Sequence, residues 1–286
     1  MSRDSCNHLL ELISGHSTFN ETQDPIKLQL AVTLYRLGTY GNGSSVTNVS
    51  TKFGISIGAV VKYTDRVIDA ITSLSKRYIY WPGPSERQDL GRQMALQCLP
   101  KCIGFVDGTD IVFDEAPHDD KELYWSRKKK YCIQAQIICD IDRKIRDLFT
   151  GYPGSVHDAK AFSKSPIAIV PNKFFSAGEF IIGDSAYAIS ENVITPYKRG
   201  VQGITPERKA FNRHLSSHRV LVENTIGLLK SRFQSLKSLR IRVSKKSGHA
   251  KVYFDEECQS NEVKSRRGNL KREALFHIFK TLQRNN

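Results

Sequence analysis

GEFIIGDSAYA, residues 178–188, runs three apolar residues (Phe180, Ile181, Ile182) into Gly183 and a carboxylate, Asp184. A short continuous apolar run bounded by glycine reads as a buried strand. An acid at its end carries a desolvation penalty unless it is paired or binds a cation. Upstream, CIGFVDGTDIVF (residues 102–113) repeats the arrangement, with Asp107 after an apolar run and beside Gly108. If the two strands are neighbours, both acids leave the sheet at one edge. Like charges so placed repel unless one is protonated or a cation lies between them.

Between these strands, YCIQAQIICDID (residues 131–142) and KIRDLFTGYPG (residues 144–154) flank the polar stretch Asp140 to Lys144 and are expected to pair as a hairpin. SVHDAKAFSKSP reads as a short helix capped by Ser155 and closed by Pro166. SHRVLVENTIGLLKSRFQSL is strongly amphipathic, with Val222, Ile226, Leu229 and Phe233 at helical steps. Glu223 lies about 100° round from Val222, on the border of that stripe, where it can face the strand ends. Strands, a helix, a strand and a helix give an α/β domain over residues 98–243, a mixed sheet flanked by helices.

The first 90 residues carry helical periodicity and are expected to form an all-α domain. SSVTNVSTKFGISIGAVVKYTDRVIDAI contains two helical patterns broken at Gly54, where a sharp turn needs positive φ. It has the shape of a helix-turn-helix over about residues 44–72. Val46 to Phe53 would support a second helix from Ser56 to about Ile71, with Val60, Val61, Val67 and Ile68 inward. Ser56, Lys62, Tyr63 and Arg66 would face a DNA groove. WPGPSERQ (residues 81–88) reads as the linker. The tail, residues 244–286, is basic and is expected to be partly disordered.

The 286 residues include 43 Lys and Arg against 29 Asp and Glu, a net charge of +14 that points to a polyanionic partner. No apolar run reaches the roughly 18 residues of a membrane helix and the start lacks a secretory pattern, so a soluble intracellular protein without a membrane partner is expected. The six cysteines are scattered, unlike a disulfide scaffold. Cys98 with Cys102 and His214 with His218 suggest a zinc site, but nothing supplies a regular second pair. Arg127, Lys128, Lys129 and Lys130 in SRKKKY could track a phosphate backbone, or serve as a solvated or nuclear-import patch.

Three carboxylates converging from two strands and a helix would make an oxygen-ligand site for Mg2+ or Mn2+. Two such ions are the composition of a phosphodiester-cleaving centre. The plainer alternative makes Asp107 and Asp184 turn acids and pairs Glu223 with Arg219 or Lys230 along the helix.

The ordered pieces VDGTDI, YWSRKKKYCIQAQIICDIDRKIRDLFTGYPGSVHDAKAF, IIGDSAY, FNRHLSSHRVLVENTIGLLKSRF and RVSKKSGHA resemble the transposases of the PIF/Harbinger class, DDE superfamily endonucleases with a ribonuclease-H-like core. The resemblance implies that Asp107, Asp184 and Glu223 are catalytic, metal-binding acids. His157 and Asp158 also match its pattern, and Asp158 is the rival ligand, expected as a helix-start acid to stand slightly apart. It further implies two divalent ions, DNA as substrate, a nuclear location, a possible homodimer and a Myb-like accessory protein. One departure is that an apolar helix usual in the family after KKSGHAKV is missing. A decayed or domesticated copy that binds DNA without cutting is therefore the alternative.

Overall fold

The computed structural model describes residues 2–20, 22–200, 203–240 and 261–284. Helices α1 (Arg3–Ile13), α2 (Ile26–Gly38), α3 (Val46–Phe53), α4 (Ile57–Ser73), α5 (Ser75–Tyr78) and α6 (Pro84–Ala95) precede the first strand. Then come β1 (Cys102–Val112), α7 (Lys121–Tyr124), β2 (Cys132–Cys139), β3 (Ile145–Pro153), α8 (Asp158–Ser163), α9 (Pro166–Ile169), β4 (Phe180–Ile182) and β5 (Val193–Ile194). The long α10 (Pro206–Arg232) and α11 (Asn261–Arg284) follow. No helix among the described residues is long and apolar enough to cross a membrane.

The strands form one mixed sheet in the order β3-β2-β1-β4-β5. β1 to β3 form an antiparallel meander, and β4 and β5 add in parallel on the other side of β1. The expected hairpin is present, and its turn is held by Asp140, which accepts the Lys144 N–H at 3.0 Å and meets Arg146 Nε at 2.7 Å. Successive side chains of a strand point to opposite faces. Phe105 accordingly joins Phe180, Ile182, Phe211 and Val222 under α10, whereas Val106 joins Ile181, Phe162 and Tyr187 on the other face. Both faces of the first half of β1 are covered, which is why Cys102 to Val106 carry no polar side chain, whereas the second half, with Asp107 and Asp110, is only partly buried.

α3 and α4 are two helices joined by a short turn. Gly54 sits at φ 64° between them, and the Ser56 side chain accepts the Ala59 N–H as the cap of α4. An alanine at Gly54 would hold a Cβ in left-handed backbone, so Gly54→Ala is expected to cost about 1 kcal/mol, read from chemical denaturation. The facing of α4 differs from expectation at three residues. Tyr63 is buried with Val60 and Val67, while Val61 and Ile68 are exposed. Residues 60, 63, 64, 67 and 70 form one stripe at helical spacing, which puts 61 and 68 on its flank. Ser56 and Lys62 are exposed and Arg66 is half-buried.

WPGPSERQ is not a loose linker. Pro84 occupies the first turn of α6, where its missing N–H is harmless. Trp81 donates to the Phe174 carbonyl at 2.6 Å, and buried Arg87 pairs with Glu179 at 2.7 Å. α6 therefore packs with the sheet, Leu90 and Met94 being core residues. Ser155 caps no helix. His157 is at the start of α8, and Ser165 caps α9, which Pro166 opens rather than closes.

Residues 241–260, which hold the RVSKKSGHA motif and the first part of the basic tail, lie outside the described residues. The second part is a 24-residue helix. Leu275, Phe276 and Phe279 of α11 complete the core under α10. Arg272 stacks 4.1 Å over Tyr197, and Lys271, pushed down to about 8 by burial, sits 4.8 Å over Phe180. A Cβ on Gly268 would stand 2.6 Å from the Ser190 backbone, so this close approach requires glycine.

Candidate metal centre

Parallel pairing sets Phe105 of β1 opposite Ile182 of β4. Two residues on lie Asp107, in the middle of β1 rather than at the expected strand end, and Asp184, just past the end of β4. The apolar stripe of α10 includes buried Val222 and Ile226. The next residue round, Glu223, and Arg219 one turn earlier then reach β1. One Arg219 Nη2 lies 3.8 Å from Asp107 Oδ1 and 3.3 Å from Glu223 Oε1.

The three acids share one electrostatic neighbourhood. Asp107 is pushed up to about 6, chiefly because burial disfavours its charge; Asp184 and Glu223 push it further, against Arg219 and the Gly108 N–H. Asp184 also accepts the Ala186 N–H at 2.8 Å, so the turn role coexists with the strand-end position. Glu223 is half exposed.

Asp158 stands closer than expected. A Cβ on Gly108 would lie 2.5 Å from its Oδ1. Its carboxyl is raised, first by burial and then by Asp110 and Asp184, with Gln136 and Lys128 opposing. It makes no capping bond at the start of α8 and instead accepts from Gln136 Nε2 at 3.2 Å. Gln136 in turn accepts from the buried Tyr187 hydroxyl, which ties the DSAY turn to Asp158. Sequence reasoning missed this chain. Its signal was Gln134 and Gln136, two steps apart in an otherwise apolar strand and so on one face.

The basic loop borders the same end. Lys128 meets Asp110 at 2.9 Å and Arg127 meets His157 Nε2 at 2.6 Å. Arg127, Lys129 and Lys130 are exposed. Lys230, a further residue not singled out as a ligand, donates to the Asp110 carbonyl at 2.6 Å. The imagined zinc site does not form. His214 meets the Gln97 carbonyl at 2.8 Å, and burial pushes the Cys102 thiol up to about 12.

Among the described residues no three His, Cys, Asp or Glu side chains stand close enough to hold one metal ion. The donor chemistry nevertheless fits a hard divalent cation. The groups are all carboxylates, and one is desolvated and raised by its neighbours, a repulsion that a cation would relieve. Asp107, Asp184 and Glu223 would hold it.

The pH sense follows from Asp107. Its carboxyl sits above the ordinary 3.8, so between there and about 6 the folded protein keeps a proton that the unfolded chain has lost. This contribution makes the cation-free protein less stable as pH rises through that window. A cation must displace the same proton below about 6. Mn2+ affinity is therefore expected to fall about tenfold per pH unit there and to level off above it, as measured by titration calorimetry.

The family model for the DDE superfamily endonuclease matches residues 106–253. The chain is 25% identical over 205 residues to rat "Putative nuclease HARBI1" and, at the same identity and length, to its human counterpart, covering 71% of this chain and 58% of each relative. It is 23% identical over 256 residues to Arabidopsis thaliana "Protein ALP1-like", covering 82% of this chain and 62% of that one. The chain thus spans less than two thirds of the length of these curated relatives. No solved structure matches it. With its match running from within β1 through α10, the chain belongs to the DDE superfamily endonucleases.

Proposed function

We propose that this protein is a divalent-metal-dependent DNA endonuclease of Harbinger transposase type, built on a ribonuclease-H-like core. The observation that carries this reading is the electrostatic coupling of Asp107, in the middle of β1, to both Asp184 and Glu223, all within the matched region. Its support also includes the mixed sheet with β1 at the centre and the nuclease names of the relatives.

Two Mg2+ or Mn2+ ions bound there would activate a water or sugar hydroxyl and stabilise the leaving oxygen of a phosphodiester. The chain's own residues prepare that chemistry. β1 carries Asp107, the turn after β4 carries Asp184, and α10 carries Glu223, which shares the Arg219 guanidinium with Asp107. Burial dries the Asp107 side and strengthens its pull on a cation. Arg127, Lys129 and Lys130 supply exposed charge for the DNA backbone beside the acids. Asp158 is held by Gln136.

The same proposal gives the helical residues before α6 the DNA-recognition role, with Ser56, Lys62 and Arg66 toward the groove and Tyr63 removed from that set. A nuclear location, a Myb-like partner and a homodimer belong to the proposal on the resemblance alone.

The second reading is DNA binding without cleavage, favoured by the separation of the acids as they stand. Nicking of supercoiled plasmid in Mg2+ or Mn2+, abolished by chelation, is the expected result. Retarded plasmid with no nicking in either metal, with or without a Myb-like partner, supports the second reading instead.

A further inference from the structure

Resting on that metal-centre reading, we infer that Arg219 is an internal stand-in for the metal, holding Asp107 and Glu223 in the cation-free protein and giving way when a divalent ion binds. Three observations lead there. First, the guanidinium lies between the two acids, at 3.8 Å and 3.3 Å. It therefore supplies the positive charge that keeps two of the three carboxylates from repelling each other. Second, the hold is loose. Charge-assisted hydrogen bonds run at about 2.7–2.9 Å, shorter than either contact. The Arg219 side chain is only 15% exposed, and its buried Nε has no hydrogen-bond partner among the described residues. A buried charge so poorly satisfied is readily exchanged for a better arrangement. Third, among the described residues no three acids are close enough to grip an ion while Arg219 is among them.

Arg219 and Glu223 lie one turn apart on the same face of α10. Withdrawal of the guanidinium is then a rotation of one long side chain, with the helix and the sheet unmoved. Its partner acids are released to the ion in the same event. This differs from a role in which Arg219 merely positions Glu223, because a positioning residue would assist metal binding whereas a stand-in opposes it.

The full chain, Arg219→Gln and Arg219→Lys would be titrated with Mn2+ and the free ion followed by electron paramagnetic resonance, with thermal melts run in chelator and in Mn2+. Arg219→Gln is expected to bind Mn2+ on the order of tenfold more tightly, the effect of removing one positive charge at this range from a partly buried site. It should melt below the parent in chelator and recover in Mn2+. Arg219→Lys, which keeps the charge, should stay near the parent. Equal or weaker Mn2+ binding by Arg219→Gln overturns the proposal, and so does a variant that folds neither with nor without Mn2+. Absence of Mn2+ binding by every form overturns the metal-centre reading itself, a result distinct from an unchanged affinity.

Discussion

Asp184→Asn is expected to lower metal-dependent plasmid nicking by about a thousandfold or more, while gel-shift affinity for DNA is unchanged. The substitution keeps the shape of the side chain and its place after β4, and it removes one full charge from the proposed metal centre. A metal ion contributes several kcal/mol to the transition state, and each ~1.4 kcal/mol is a factor of ten in rate. The matched control is Asp158→Asn. That carboxylate is engaged with Gln136 and lies against Gly108, so its loss should cost about tenfold at most. Equal losses in both variants would move Asp158 into the ligand set and end the preference for Asp184 over Asp158.

Phe211→Ala should be the largest stability effect. The ring is fully buried and packs edge-on against Tyr197, Phe276 and Phe279, with centroids 5.9, 5.7 and 5.6 Å away. It joins α10 to α11 and to the segment after β5. Truncating a buried phenylalanine costs about 3–5 kcal/mol, which for a chain of this size is a fall of roughly 10 °C in Tm. Circular dichroism melts would measure the fall, and hydrogen exchange should show α11 opening first. Unchanged protection across α11 would mean that the helix is held by Arg272 and Lys271 rather than by this aromatic cluster.

Much of the sheet was legible along the chain, because its signals are local. β1 begins with, and β4 consists of, a short apolar run, and the β2–β3 hairpin is two strand patterns around a polar turn; β1 itself continues past Asp107 and Gly108 to Val112. Gly54 marks its turn because left-handed backbone selects glycine. The errors came where a local signal had a distant answer. Tyr63 carries a polar hydroxyl and reads as a groove residue, yet its ring lies in the stripe that packs on α2 and α3. Trp81 and Arg87 sit in a Pro- and Gly-rich stretch that reads as a linker. Their partners, Phe174, Phe175 and Glu179, are some 90 residues away. The basic composition of the C-terminal residues masks an apolar stripe, Leu275, Phe276 and Phe279, that needs the exposed side of α10 and Tyr197 to become a core.

Which residues could carry charge to the site is written in the order of the amino acids: acids that follow apolar runs, and a glutamate one step off an amphipathic stripe. Periodicity and chain stiffness act over a few residues, so they fix such local placements. Three further facts arise from the assembled fold: β4 lies parallel to β1, Asp158 comes against Gly108, and Arg219 settles between Asp107 and Glu223. Those are long-range choices, made by burying both faces of β1 at once, and no spacing along the chain encodes a distance between groups that meet only after that burial.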